Sequence, residues 1–561
     1  MAGAASQRGD AYSSRAPGPT SSLLGIRLCS ICSSIMENPG FILPERKYYL
    51  GDRDSPVLMA LETLGRRVAM EFGADETVAV KDMRDVVDLE IDLANISMAS
   101  EDRRDNEKLY NLYTLGELKN HFPESTKLDF SWRGYFQGIF GLKGIGINIT
   151  DDEEIIIREV PYYSRLMETL EKYDKRVVAN FAVWKLMKNR ARNLPDRFLD
   201  HLGDYGKVLY GSPRVRARWR RCASYVVDYM GLPVGKLFVQ KHFDEEAKKG
   251  MHNMIDKIEG AFKEILSELS WMDRETRKVA KEKVEYITRR IGYDDDILDK
   301  EKLDRRYENV TVEPGDYFNN VLRMLKLSVI DELRGLRQSV YHLNWESAPS
   351  TVNAYYNAEN NRIMFPAGIL QPPYYNKRFP RSLNYGGIGS LIGHEITHGF
   401  DDRGRQNDKY GNLKQWWNDD AINKFKNLTQ CLVKQYGDFS MPEAGGMKVN
   451  GIITLGENIA DNGGMKQAFK AYRQFVDERG GEEDSLPGLS LTNNQLLFIN
   501  FAQIRCAVMH RQDAVNHILT GPHSPSRFRI IGTLQNMPEF SEVFNCPKGS
   551  FMNPVKKCRV W

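Results

Sequence analysis

The feature that most constrains this chain is an H-E-x-x-H motif at residues 394–398, preceded by the apolar, glycine-rich run 386–393. The apolar run predicts a buried helix, on which His394 and His398 project from one face, one turn apart. Two imidazoles placed in this way can hold Zn²⁺. Glu395 lies beside them without being a ligand, so its carboxylate can accept a proton from a water on the metal. The motif also arises by chance, and it lacks a third ligand.

The third ligand is supplied by a second stretch, about sixty residues further along the chain. Glu457 and Asp461 are four residues apart and share one helix face. Glu457 would complete a His₂Glu site with an open fourth position, the catalytic type of zinc site. Asp461 would accept the free ring N–H of His394, as Asp401 would for His398. An exposed acidic helix start is the alternative, but the neighbours are apolar, and two carboxylates there need partners.

Five stretches of the sequence, one of which contains the zinc motif, resemble the neprilysin family. Members of this family are zinc endopeptidases of animal cell surfaces, and they include the endothelin-converting enzymes. The resemblance extends from about Ile42 to the last residue and is most specific after Asn353. The stretches are 352–356, 365–373, 394–402, 456–461 and 558–561.

The resemblance implies a mainly α fold with two lobes, a thermolysin-like catalytic lobe with a small β-sheet and a helical capping lobe. A chain of 561 residues is also too long for one core. We expect a disordered leader outside the family at 1–40, the helical lobe at 41–340 and the catalytic lobe at 341–561. Apolar residues three and four apart predict helices at 57–72, 78–99, 115–121, 161–189, 196–209, 219–229, 253–270, 273–290, 317–338, 416–435 and 496–510.

Substrate contacts are also implied by the resemblance. The runs 352–356 and 362–365 predict two strands, and an edge strand beside a zinc site can bind an extended peptide. In the family, the residues matching Asn353 and Ala354 hold the substrate main chain. The residue matching His523 stabilises the oxyanion, although a lone histidine is more often structural. The remaining matches are Arg529 for the substrate carbonyl, and Ile369, Tyr374 and Leu391 for the pocket of the residue after the cleaved bond.

Two departures from the family pattern bear on this pocket. Arg505 stands where the family has a tryptophan on the pocket wall. The family motif C-G-x-x-R-P-E is replaced after Cys506 by a different sequence, residues 507–512. These changes concern substrate preference and folding rather than zinc chemistry.

The function implied is a zinc-dependent metalloendopeptidase that hydrolyses small oligopeptides on the amino side of hydrophobic residues. One alternative is a truncated or inactive relative that acts as a peptide- or protein-binding module. Another is a truncated product that does not fold stably. Peptide substrates are the expected partners, because the net charge of only +3 gives no indication of a nucleic-acid partner.

The chain has seven cysteines, so at least one has no partner within the chain. The resemblance implies a disulfide between Cys431 and Cys558. It places the partners of Cys222, Cys506 and Cys546 in a family N-terminal segment that this chain lacks. The remaining two cysteines, Cys29 and Cys32, could form a metal or redox pair.

The expected location, by resemblance, is the extracellular face of the plasma membrane or the secreted fraction. No stretch reaches the ~18–20 apolar residues that span a bilayer, and no clear signal peptide is present. We therefore expect membrane attachment only through a family N-terminal anchor missing from this chain. Four N-x-S/T sequons predict glycosylation at Asn95, Asn148, Asn309 and Asn427.

Overall fold

The computed structural model describes residues 34–38, 40–338, 345 and 347–561, and the backbone of residues 26–28. In these residues the chain is mainly helical, as expected, with small sheets. The helices are α1 (Pro56–Glu71), α2 (Glu76–Ile96), α3 (Leu115–His121), α4 (Trp132–Phe140), α5 (Val160–Glu171), α6 (Lys175–Arg190), α7 (Asp196–Tyr210), α8 (Arg218–Tyr229), α9 (Gly231–His242), α10 (Glu245–Glu268), α11 (Arg274–Glu285), α12 (Lys300–Tyr307), α13 (Tyr317–Arg334), α14 (Arg381–Asn384), α15 (Ser390–His398), α16 (Asp419–Asp438), α17 (Leu455–Arg479), α18 (Asn493–Gln503), α19 (Arg511–Thr520), α20 (Ser526–Gln535) and α21 (Pro538–Val543). The strands are β1 (Ile26–Leu28), β2 (Ser34–Met36), β3 (Asn111–Thr114), β4 (Glu154–Ile157), β5 (Thr288–Gly292), β6 (Tyr355–Asn357), β7 (Arg362–Pro366), β8 (Ser440–Met441) and β9 (Met447–Lys448).

The first hydrophobic core is built mainly by helices α1 to α7. It includes the fully buried aromatic rings of Trp132, Phe136 and Tyr163. Leu333 and Leu336, from the end of α13 and just after it, return to this core. A four-stranded sheet in the order β1-β2-β4-β3 adds the apolar residues of β4 to it.

Strands β1 and β2 lie within the leader for which the sequence predicts disorder. β2 instead pairs in parallel with β4, with Ile35 opposite Ile156, and β1 pairs antiparallel with β2. Ser34 and Met36 are fully buried. The pairing satisfies backbone groups that local composition gave no reason to pair. The rest of the predicted leader lies outside the described residues, apart from 37, 38 and 40.

The second hydrophobic core combines two separate parts of the sequence. Helices α10 and α11 and residue Ile291 of β5 pack in one cluster with the residues from Ala354 to the C-terminus. β5 pairs in parallel with β7, in a three-stranded sheet of order β5-β7-β6. The chain therefore passes between the two cores more than once. The predicted lobe boundary at residue 340 lies outside the described residues and stays a prediction.

Several helices end at residues other than the predicted ones. The predicted helix 273–290 starts as expected, because Asp273 accepts hydrogen bonds from the amides of Glu275 and Thr276. It ends at Glu285, since the following residues form β5. The predicted helix 161–189 is two helices, α5 and α6, and the predicted helix 496–510 ends at Gln503.

Lys283 on α11 connects the second core to the loop that follows α15. Its side chain is fully buried, and its Nζ donates to the carbonyl oxygens of Gly399, Gly404 and Asn407 at 2.7, 2.7 and 2.6 Å. Burial lowers the pKa of Lys283 to about 7, and the Asp401 carboxylate opposes this shift. Three carbonyl acceptors match the three donors of an ammonium group, so this side chain fixes the loop.

We expect Lys283→Met to lower the free energy of unfolding by about 1.5–3 kcal/mol or more, because it leaves three buried carbonyls without their donor. Chemical denaturation monitored by circular dichroism measures this change. Lys278→Met is the matched control on the exposed face of the same helix, and it should change stability little. Equal effects of the two substitutions would contradict this role for Lys283.

Candidate metal centre and active site

Helices α15 and α17 cross with their backbones in direct contact. A Cβ atom added to Gly393 would lie 2.5 Å from the carbonyl oxygen of Gly464. A Cβ atom added to Gly464 would lie 2.4 Å from the backbone nitrogen of His394. No side chain larger than hydrogen fits at this crossing. The crossing brings the H-E-x-x-H helix beside the helix that carries Glu457.

The three predicted ligands come together at this crossing. His394 Nε2 and His398 Nε2 are 3.0 Å apart. The Oε2 atom of Glu457 lies 3.2 Å from the first nitrogen and 3.5 Å from the second. Ligand atoms about 2.0–2.1 Å from a tetrahedral zinc ion are separated by about 3.3 Å. The triangle of donor atoms therefore has the size that zinc requires.

The donor atoms also lack the partners that a closed polar cluster would have. Glu457 Oε2 is buried and has no hydrogen-bond partner among the described residues, although imidazole nitrogens lie within 3.5 Å. A buried oxygen of this kind is costly unless a cation or donor satisfies it. Two imidazole nitrogens facing each other at 3.0 Å likewise fit a shared cation. The residues present fit a bound zinc ion.

A carboxylate orients each of the two histidines. Asp401 Oδ2 lies 2.7 Å from Nδ1 of His398, and Asp461 Oδ1 lies 3.0 Å from Nδ1 of His394. Each contact leaves Nε2 to face the centre of the cluster. Asp401 is itself held by the backbone amides of residues 403 and 404. The structure thus pairs both predicted carboxylates with the histidines expected for them.

Asp461 also binds the guanidinium of Arg529. Its two oxygens accept hydrogen bonds from Nε at 2.6 Å and Nη2 at 2.8 Å. Burial alone would raise the pKa of Asp461, but the charges of Arg529 and Arg505 hold it well below its usual range. Asp461 is therefore a carboxylate that faces His394 and Arg529 together. The predicted contact of Arg529 with a substrate carbonyl stays a prediction.

The predicted base and oxyanion residues lie at the same cluster. The side chain of Glu395 is buried, and this burial raises the pKa of its carboxyl group. His523 reaches the cluster from the segment before α20, with Nε2 at 2.9 Å from Oε2 of Glu457. Burial lowers the pKa of His523. Apart from the family resemblance, no sequence pattern placed this histidine at the metal, because it lies 66 residues from Glu457 along the chain.

The predicted substrate-binding residues lie just before the edge strand β6 and in or against the second core. Asn353 and Ala354 directly precede β6, which starts at Tyr355 and is an edge strand. The predicted strand thus begins three residues late. The three predicted pocket residues belong to the second core or pack against it. They are Ile369, Tyr374 and Leu391.

Arg104 is a residue of this site that local sequence reasoning missed. It belongs to the short helical turn Ser100–Arg104, within the predicted helical lobe, yet its Nε and Nη2 donate to Asp402 at 2.6 and 2.7 Å. Its Nη1 donates to the carbonyl of Ile453 at 2.8 Å. A Cβ on Gly456 would lie 2.9 Å from its guanidinium. One half-buried cation thus joins the loop after His398 to the segment before α17. The contact with Asp402 spans about 300 residues of sequence, and no local pattern signals it.

Comparison with known proteins agrees with this geometry. Two models of peptidase family M13 match the chain, one at residues 33–294 and the other at residues 353–560. The chain belongs to peptidase family M13. It is 42% identical to mouse neprilysin over 534 residues, which cover 94% of this chain and 71% of that relative. The M13 chain is accordingly a zinc metalloendopeptidase, and His394, His398 and Glu457 form a triad that could hold the metal ion.

Two solved structures of one related protein share this fold, and the chain resembles one of them more closely than the other. The M13 chain matches the inhibitor complex of Mycobacterium tuberculosis zinc metalloprotease Zmp1 with a TM-score of 0.85, at 30% identity over 96% of this chain and 80% of that chain. The open state of Zmp1 matches with a TM-score of 0.64, at 30% identity, over 96% of this chain and 82% of that one. The lobes of this chain are therefore arranged more like those of the inhibitor complex.

Cys431 and Cys558, predicted as a pair, form a disulfide with their Cα atoms 5.5 Å apart. It ties α16 to the C-terminal segment, whose Trp561 packs in the second core. Cys222, Cys506 and Cys546 are free, and Cys29 and Cys32 lie outside the described residues. No described helix combines the length and apolar character needed to cross a membrane.

We expect Gly464→Ala to lower zinc affinity sharply, because the added methyl group must push α17 away from α15 and so separate the ligands. Competition with a fluorescent zinc chelator measures the affinity, and thermal unfolding of the metal-free protein measures the packing cost. Gly260→Ala on α10 is the matched control, since a Cβ atom added there would meet no other atom within 4 Å. Unchanged zinc affinity in Gly464→Ala would show that the crossing tolerates separation.

We expect Arg104→Gln to weaken zinc binding by about tenfold, the lower end of what loss of an outer partner of a metal site costs. Arg104→Lys should recover only part of the loss, because an ammonium group cannot reproduce the two-pronged contact with Asp402. The control is Arg176→Gln, which removes a similar pair with Asp82 on the surface. If zinc affinity is the same in all three variants, Arg104 does not support the metal site.

Proposed function

We propose that this M13 peptidase hydrolyses small oligopeptides on the amino side of hydrophobic residues. The observation that carries the proposal is that three donor atoms spaced for a zinc ion occur together with the buried Glu395 and the edge strand β6. The chemistry supplied by the bound ion is Lewis-acid activation of a water molecule and of the scissile carbonyl. Each further step is assigned to the chain's own residues.

Glu395 is the proposed general base. It takes a proton from the attacking water and passes it to the leaving amine. Its burial raises the pKa of the carboxyl group and so favours the protonated form, which suits a group that must take a proton from water. Its position next to His394 in the sequence keeps it at the metal without making it a ligand.

His523 is the proposed donor to the oxyanion that develops on the scissile carbonyl. Its contact with Glu457 holds the imidazole at the metal cluster. Asp461, which contacts His394 and Arg529, is proposed to keep both in place while the tetrahedral species forms. Arg529 is proposed to bind a substrate carbonyl with donors that Asp461 leaves available.

Substrate main chain is proposed to add to the edge of the β5-β7-β6 sheet, beside Asn353 and Ala354. The side-chain amide of Asn353 and the backbone carbonyl of Ala354 would pair with the peptide. Ile369, Tyr374 and Leu391 are proposed to line the pocket for the residue after the cleaved bond. An enclosed site between two lobes would restrict substrates to short peptides, in agreement with the likeness to the inhibitor complex.

We further propose an extracellular location, at the cell surface or in the secreted fraction. The Cys431–Cys558 disulfide is typical of an oxidising compartment. The four sequon asparagines are exposed, so glycans could be attached without disturbing a core. They are Asn95, Asn148, Asn309 and Asn427. Peptide mapping of protein expressed in animal cells, with and without glycosidase, tests all four.

We expect Glu395→Gln to retain one zinc ion per chain and to lose several orders of magnitude in kcat, because the substitution removes the proton acceptor and keeps the ligands. Metal analysis and cleavage of a quenched peptide with a hydrophobic residue after the cleaved bond measure the two properties. Glu457→Ala is the contrasting variant, since it should lose zinc as well as activity. Near-parental turnover by Glu395→Gln would exclude Glu395 as the base.

A further inference from the structure

Arg505 is a buried cation with incomplete hydrogen bonding. It follows the end of α18, and only 6% of its side-chain surface is exposed. Its Nη1 donates to the carbonyl of Phe501 and its Nη2 to Oδ1 of Asp461, both at 3.2 Å, and its guanidinium lies 4.0 Å over the Phe501 ring. Its Nε has no partner among the described residues. A buried guanidinium with five donors and two long hydrogen bonds is poorly compensated.

Asp461 cannot neutralise Arg505 fully, because Asp461 makes shorter contacts with two other groups. Arg529 takes both of its oxygens at 2.6 and 2.8 Å, and His394 Nδ1 lies 3.0 Å from Oδ1. Two guanidinium groups thus share one carboxylate. Burial lowers the pKa of Arg505 to about 10, so the group still carries its charge at neutral pH. This part of the site has a surplus positive charge.

The helix that ends before Arg505 contacts the loop of the proposed substrate pocket, because the side-chain amide of Asn500 on α18 donates to the carbonyl of Pro373, next to Tyr374, at 3.2 Å. Burial raises the pKa of Tyr374, and the charges of Arg505 and Arg529 oppose that shift. Tyr374 is half-buried and follows the loop that leads from Ile369. The proposed pocket residues Ile369 and Leu391 provide an apolar wall, and Arg505, near Tyr374, has an Nε–H group without an acceptor among the described residues.

We propose that Arg505 recognises a carboxylate of the substrate on the leaving side of the cleaved bond, so that the pocket accepts acidic residues as well as hydrophobic ones. The inference rests on the proposed peptidase function and names a substrate class for the same pocket. A carboxylate there gains charge-assisted hydrogen bonds from a rigid fork and relieves an under-compensated buried charge. The carboxylate can belong to a glutamate side chain or to the end of a peptide cut one residue before its C-terminus. The aliphatic stem of a glutamate can contact the apolar wall.

The test uses quenched peptides that differ only in the residue after the cleaved bond, which is leucine, glutamate or glutamine. Glutamine matches glutamate in size and lacks the charge. A second pair carries leucine as the last residue, with a free carboxylate or an amide. For the zinc-loaded parent we expect a glutamate-to-glutamine ratio of kcat/KM of about ten or more, the usual worth of a charged hydrogen bond. Arg505→Gln should bring this ratio to about one, and Arg505→Lys should keep part of it.

The two peptide pairs distinguish the two sources of the carboxylate. If Arg505→Gln abolishes a preference for the free acid over the amide but leaves the glutamate-to-glutamine ratio unchanged, the recognised group is the chain terminus. If both ratios are the same in the parent and in Arg505→Gln, the proposal is wrong and Arg505 only buttresses Asp461. A purely structural role would lower the rates for all peptides equally, so the ratios separate it from recognition. Arg527→Gln, at an exposed site paired with Glu443, should leave both ratios unchanged.

A binding measurement separates failure of this proposal from failure of the proposed function. Fluorescence polarisation with Glu395→Gln, loaded with zinc, gives the affinities for the glutamate and glutamine peptides without turnover. Tighter binding of the glutamate peptide that is lost when Arg505→Gln is added supports recognition, even if the parent cleaves no peptide. The free-acid and amide peptides are compared in the same way, and equal affinities within both peptide pairs in Glu395→Gln overturn the proposal. If Arg505→Gln does not fold, the same comparison is made with Arg505→Lys.

Discussion

The contact on which the site depends is the crossing of α15 and α17 at Gly393 and Gly464. Backbone atoms there approach so closely that even a methyl group would lie about 2.5 Å from its neighbours. A helix pair separated by ordinary side chains is 8–10 Å apart, typically, between axes. At such a distance Glu457 would be carried away from the imidazoles of His394 and His398. Close backbone packing of the two helices therefore sets the spacing of the metal ligands.

Asp461 connects the packed helix α17 to the side chains around the ligands. It lies one turn after Glu457 on α17, so the crossing that positions the ligand also positions the carboxylate. Its oxygens contact the buried His394 and Arg505 and the half-buried Arg529. A single carboxylate therefore fixes a metal ligand on one side and two cations on the other. This arrangement explains why one negative charge is stable in a core, and why its environment has an excess of positive charge.

Local patterns in the sequence were sufficient for the parts of the site that lie one helical turn apart. The ligands on α15, their neighbour Glu395 and the Glu457–Asp461 spacing each follow from helix geometry. The pairing of β5 with β7, the contact of Arg104 with Asp402 and the burial of Lys283 did not follow, because each joins segments more than 70 residues apart. The composition of the leader predicted disorder, and only strand pairing, of β2 with β4 and of β1 with β2, accounts for these two strands.

The helical lobe is part of the metal site rather than a cover for it. Arg104 comes from the first lobe and binds both the loop after His398 and the carbonyl of Ile453, just before the ligand helix α17. Gln406 strengthens the same junction, since its amide accepts from the backbone nitrogen of Asn106 and donates to the carbonyl of Arg104. Any motion that separates the lobes at this junction has to break these hydrogen bonds next to both ligand-bearing segments. The arrangement seen here, closer to the inhibitor complex of Zmp1 than to its open state, is the one in which they are made.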